Sequence, residues 1–198
     1  MTELTTLFQE QVPQHFKDVT IVHLYKRKGN RHLRDNHKGI SLLNIAGMIF
    51  ARILLNHMNG HLEQGLLPES QCGFRQHSGT TDMIFAPRQL QKKCQEMRTH
   101  LYTTFVDLTK AFDTVNCNRL WKAMQKFGCP ERFMHMVRQL YDGMTARVND
   151  NGMVSEAFAV TNGVKQCCVL APILFSLMLS VMLMDAYRYE QHGIRITY

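Results

Sequence analysis

An α+β fold is predicted for these 198 residues from three features of the sequence. β-Branched and apolar runs stand at 18–25 and 101–108, the signature of buried strands. Apolar residues keep helical spacing over 44–62 and through Leu120, Trp121, Met124 and Phe127. After them Asn149-Asp150-Asn151-Gly152 separates two short β-prone runs, a hairpin signal. Apolar residues make up 45% of the chain, which excludes a disordered polymer and suffices for one domain with a core. No repeat or Pro/Ser-rich linker divides the chain, so 18–198 is read as one domain preceded by a short segment, 1–17.

The elements follow in order. The strand ending at Tyr25 runs into the basic turn Lys26-Arg27-Lys28-Gly29-Asn30. Ile45, Met48, Ile49, Ile53, Leu54 and Met58 then define a helix, which Gly65 and Pro68 should close. A second helix should begin after Ser78-Gly79 with Thr80 or Thr81 as its cap, and Pro87 should kink or divide it. After the 101–108 strand, Asp113 is read as a cap or first-turn acid of the next helix, which Gly128 ends. Pro130 and Gly143 should bracket the following helix. The run 169–184 is almost wholly apolar but shorter than the roughly 20 residues a bilayer needs, so it is read as a core helix, with no membrane span.

Charge and cysteines narrow the chemistry. Lys and Arg outnumber Asp and Glu by 23 to 16, a net +7, which suits an anionic partner such as nucleic acid. Six basic side chains, Lys26, Arg27, Lys28, Arg31, Arg34 and Lys38, fall within one short stretch opposed only by Asp35. Six cysteines form no C-x-x-C pair, which argues against a zinc ribbon or dithiol site. With no secretory leader evident, reduced thiols and an intracellular setting, nucleus or cytoplasm, are expected. No P-loop, G-x-G-x-x-G turn or G-x-S-x-G elbow occurs. His57 and His61, four apart without a following Glu, read as solvated histidines. Asp107 closes an apolar run, where a carboxylate either caps the next turn or holds a hard cation such as Mg²⁺; spacing leaves both open.

Five stretches, in order, resemble the reverse transcriptase domain of non-LTR, LINE-type retrotransposons. They are Lys26-Arg27-Lys28-Gly29, Lys38-Gly39-Ile40-Ser41-Leu42-Leu43-Asn44, Gln71-Cys72-Gly73-Phe74-Arg75, the stretch 105–115, and the stretch 162–172. The resemblance covers nearly everything after residue 17 and implies the fingers and first part of the palm of a right-hand polymerase, with an antiparallel palm sheet packed on helices. It implies RNA-templated DNA synthesis, with an RNA template, a DNA primer, deoxynucleoside triphosphates and Mg²⁺. Asp107 matches the first catalytic aspartate, and the carbonyl of Leu108 would assist the metal. Phe112 resembles the steric gate against a ribose 2′-hydroxyl. Lys26, Lys28 and Lys38 match the basic neighbourhood of the incoming triphosphate, where positive charge stabilises phosphoryl transfer. Gln166 resembles the residue near the templating pair, and Arg31, Arg34 and Arg75 would contact nucleic acid.

The sequence also departs from that pattern. Lys38 replaces an arginine and loses its bidentate fork, Cys167 replaces a glycine, and Pro87 is an addition. The family carries two more aspartates in a [YF]-A-D-D hairpin, and no Asp-Asp pair occurs in this sequence. One carboxylate does not hold two divalent ions against their repulsion. The expectation is therefore a polymerase domain truncated before that motif and inactive as an isolated chain. The alternative, from a different class, is a non-catalytic nucleic-acid-binding remnant.

Overall fold

A computed structural model describes residues 12–62, 71–74, 79–166, 168–186 and 188. The α+β expectation holds. The order of elements is α1 (Gln14–Lys17), β1 (Val19–Tyr25), β2 (His37–Leu43), α2 (Ile45–Leu62), α3 (Thr80–Glu96) and α4 (Cys117–Lys126). There follow α5 (Glu131–Tyr141), β3 (Thr145–Asp150), β4 (Met153–Val154), β5 (Phe158–Ala159) and α6 (Ala171–Ala186). The sheet runs β2-β1-β3-β4, with β5 also paired to β3. It is mixed. β1 pairs antiparallel with β2, from Val19 opposite Leu43 to Tyr25 opposite His37, but parallel with β3. The long connection through four helices permits that parallel crossover, whereas neighbours in sequence close antiparallel.

The main core lies among the helices. Leu54 and Met58 of α2, Leu120 and Met124 of α4, Val137 of α5 and Leu174 and Leu177 of α6 all belong to it. Trp121 packs edge-on to Tyr141, at 6.2 Å between ring centroids, and carries the Arg138 guanidinium over its face. A smaller cluster of Val19, Met144 and Ala146 lies at the sheet. The carboxylate of Asp18 ties the two parallel strands at their start, accepting from the Thr145 amide at 3.2 Å and hydroxyl at 2.9 Å.

Many local expectations hold. The hairpin turn joins β3 to β4, Pro130 caps α5, and 171–186 is a core helix. No helix among the described residues is long and apolar enough to cross a membrane. Gly65 and Pro68 lie outside the described residues, as do Arg75 and Cys167.

Four local expectations are corrected. The largest concerns 101–108, which is no strand. It forms no ladder with any described segment, and Tyr102 and Phe105 are each 90% exposed. Strand-forming composition needs a neighbour to receive its backbone hydrogen bonds, and no described segment pairs with this one. The cap of α3 is Gly79, because the Asp82 carboxylate receives the Gly79 amide at 2.8 Å and starts the helix just after it. Of the two outcomes expected at Pro87, a kink or a division, division does not occur: α3 runs through it, and its surroundings are solvent, so the carbonyl that loses its partner can be hydrated. Asp113 caps nothing: it lies in a turn, and Asn116 is the cap of α4, accepting from the Arg119 amide at 3.0 Å. The helix expected over 44–62 is found as α2; it is apolar on two sides, and it buries Gly47, Phe50, Ala51, Leu54 and Met58 while Ile45, Met48, Ile49 and Ile53 face solvent.

Candidate functional site

Three separated stretches meet around Phe112. Residues 109–114 form consecutive turns, and the Phe112 carbonyl receives the Val164 amide at 2.8 Å. One bond further along, the Gly163 amide donates to the Val115 carbonyl at 2.7 Å. The half-buried Phe112 ring lies 5.0 Å from that of Phe175 on α6 and 6.2 Å from that of Phe74. The 71–74 stretch is in turn fastened to α6, since the Ser176 hydroxyl donates to the Gly73 carbonyl at 3.0 Å. Packing thus brings residues 71–74, 112–115 and 163–176 to one place. Gln166, half-buried, sits two residues beyond the bond from Val164 to Phe112.

Lys165 fixes this loop from below. Its buried ammonium donates to the carbonyls of Lys17 at 2.7 Å and Leu140 at 3.0 Å, and lies 5.4 Å from the Tyr141 ring centroid. Burial pulls its pKa down to about 8. Burial also pushes the hydroxyl of Tyr141 far up, so that group stays neutral. For Asp18, desolvation raises the pKa, but hydrogen bonds from Gln14 and Thr145 outweigh it and the net shift is downward. Sequence reasoning missed Lys165, Asp18 and Tyr141. A lysine between Val164 and Gln166 carries no local sign of burial.

The buried lysine sets a pH dependence. Below about pH 8 both folded and unfolded chains hold its proton, and the full cost of burying the charge is present. Between about 8 and the ordinary 10.5 the folded chain releases the proton first, so this group's contribution to stability increases with pH. Urea melts of wild type and Lys165→Met across that range should show wild type gaining on the variant as pH rises. A constant difference would mean that the ammonium is not desolvated as described.

The remaining candidate residues are dispersed. Asp107 is exposed, in an irregular stretch, with no hydrogen bond or ion pair among the described residues; Leu108 beside it is also exposed. Lys26, Lys28, Arg31, Arg34 and Lys38 are all exposed on β1, β2 and their connection, and Lys26 donates to the Asp35 carbonyl at 2.8 Å. Among the described residues no hydrogen bond or ion pair joins this basic group to Phe112 or Gln166. The structure therefore ties the backbone of Phe112 to the loop that carries Gln166. No three His, Cys, Asp or Glu side chains among the described residues converge as a metal would require. Asp107 alone does not fit a two-ion centre.

The family model for reverse transcriptase (RNA-dependent DNA polymerase) matches residues 26–196. The chain belongs to the reverse transcriptase family. It is similar to the RNA-directed DNA polymerase from mobile element jockey of Drosophila melanogaster, 27% identical over 172 residues, which are 86% of this chain and 19% of that protein. The Pol polyprotein from the type-2 retrotransposable element R2DM of the same organism is 29% identical over 61% of this chain and 11% of its own length. A third relative there, the probable RNA-directed DNA polymerase from transposon BS, is 24% identical over 83% of this chain and 18% of its length. The chain thus spans less than a fifth of these reverse transcriptase relatives. The mixed sheet and six α-helices of the described residues are a partial polymerase fold.

Proposed function

We propose that the chain is a fingers-and-palm portion of a LINE-type RNA-directed DNA polymerase, which engages a single-stranded template while not extending a primer by itself. The observation that supports it is the meeting of the 71–74, 112–115 and 163–176 stretches at Phe112, three of the five stretches that carry the resemblance. In this reading Phe112 gates the sugar and Gln166 lies beside the templating base. Lys26, Lys28 and Lys38 attract the triphosphate, and Arg31, Arg34 and Arg75 follow the nucleic-acid backbone. Magnesium is the ion the family implies, and Asp107, with the Leu108 carbonyl, is the residue proposed for it. The described carboxylates do not complete that site, so no chemical step is derived through it. Binding depends instead on cationic side chains that neutralise phosphates and release counterions, a term without sequence preference.

The test is primer extension on an RNA template with Mg²⁺ and deoxynucleotides, run beside a binding assay over a salt series. No extension is expected from the folded chain. Affinity for a single strand should fall linearly on logarithmic axes, with a slope of roughly −0.7 for each phosphate contact. Lys26→Gln with Lys28→Gln should flatten that slope, and Asp107→Asn should leave it unchanged. Extension abolished by Asp107→Asn would overturn the inactive assignment. Affinity independent of salt would overturn the binding one.

A further inference from the structure

The sheet carries a second feature that the polymerase reading does not use. Side chains alternate along a strand, so Ile21, His23 and Tyr25 of β1 share one face with His37 and Gly39 of β2. Val148 and Asp150 of β3 extend that face through the parallel pairing, while Lys38 lies on the opposite one. Together with Arg31, His32 and Arg34 from the connection, these residues line an open cavity of about 620 Å³. That volume lies within the usual range for a small organic ligand.

The cavity is furnished with rings. His23 and His37 have centroids 5.3 Å apart, and Tyr25 lies 5.5 Å from His37. Each ring is held by a polar contact at its rim. His37 Nε2 donates to the Arg31 carbonyl at 2.6 Å, the Tyr25 hydroxyl donates to the Gly29 carbonyl, and His23 Nε2 lies 3.4 Å from Asp150 Oδ1. Anchoring at the rim restrains the rings. Opposite His23 stands Gly39, which has no side chain to cover it. Asp150 is the one acid of the lining, against Arg31 and Arg34, which no carboxylate pairs among the described residues.

We infer that this cavity takes one unpaired nucleobase of a single-stranded nucleic acid, stacked on the His23 ring with the tilted His37 and Tyr25 rings at its edge, and with flanking phosphates on Arg31 and Arg34. The inference rests on the nucleic-acid reading above and adds to it a base-contacting surface on the face away from Lys38. Stacking on aromatic side chains tolerates any base, because every base has a π-face. A duplex would be excluded, since its bases already stack on one another.

The experiment uses the full chain and short single-stranded oligonucleotides carrying either 2-aminopurine or an abasic site at the centre. Affinity is read by anisotropy and stacking by quenching of the 2-aminopurine emission. The base-bearing strand should bind wild type roughly tenfold more tightly than the abasic one, with its emission quenched. His23→Leu should remove most of that difference, and Arg31→Gln should weaken both strands alike. Equal affinity for the two strands would overturn the stacking site and leave the phosphate reading standing. Binding of neither would overturn both. A difference that survives His23→Leu would locate the stacking elsewhere and overturn this assignment. The comparison of strands on wild type depends on no variant folding.

Discussion

Replacing Gly163 with alanine is expected to cost about 2 kcal/mol or more in stability, through two separable effects. The residue has φ of +91°, a conformation that L side chains adopt only with strain. A Cβ built there would also lie 2.9 Å from the Asp113 carbonyl oxygen and 3.1 Å from its Cα, which are backbone atoms and cannot rotate away. Gly152 separates the two effects. It has φ of +92°, but a Cβ there would meet nothing within 4 Å. Urea melts should therefore show Gly163→Ala losing clearly more than Gly152→Ala, which feels the conformational strain alone. The excess reports how tightly 112–115 and 163–164 are apposed, and hence how firmly Phe112 is held to the loop that carries Gln166. Equal losses would mean that the two stretches separate freely.

Where local chemistry decides structure, the sequence was readable. Apolar spacing with Pro130 and Gly128 located α4 and α5, and the Asn-Gly turn located the β3–β4 hairpin. Pairing decides the rest, and pairing is not local. The stretch 101–108 has the composition of a strand and no described partner, while 37–43, polar and glycine-bearing, becomes β2 because β1 accepts it along its full length. The same limit applied to α2, where two apolar faces compete and only contact with the other helices chooses one. In the candidate site, Asp107, Phe112 and Gln166 stood out through family resemblance. The meeting of Phe74, Phe112 and Phe175 comes from packing across the fold. The ring-lined cavity was half visible, as a basic stretch. Its histidines and Tyr25 share a face only once the β1–β2 register is known.

Leu174→Ala should be among the costliest truncations in α6, a loss of about 2–5 kcal/mol. Its side chain is fully buried, at 0% exposure, in the cluster that includes Leu120 and Met124 of α4. Truncation removes the transfer free energy of three heavy atoms and leaves a hole that neighbouring helices, packed from several sides, only partly close. Leu183 is the internal comparison: the same residue type on the same helix, but 41% exposed. Its replacement by alanine creates no cavity, and the loss should stay near or below about 1 kcal/mol. Sequence alone makes these two leucines equivalent, because α6 is apolar around most of its circumference. The fold separates them, since residues 171–180 lie within the core or at its margin while 182–186, at the end of the helix, are all exposed. Chemical denaturation of the two variants measures that asymmetry. Similar losses would mean that α6 is not docked along 171–180 as described, and the support that Phe175 provides to Phe112 would fall with it.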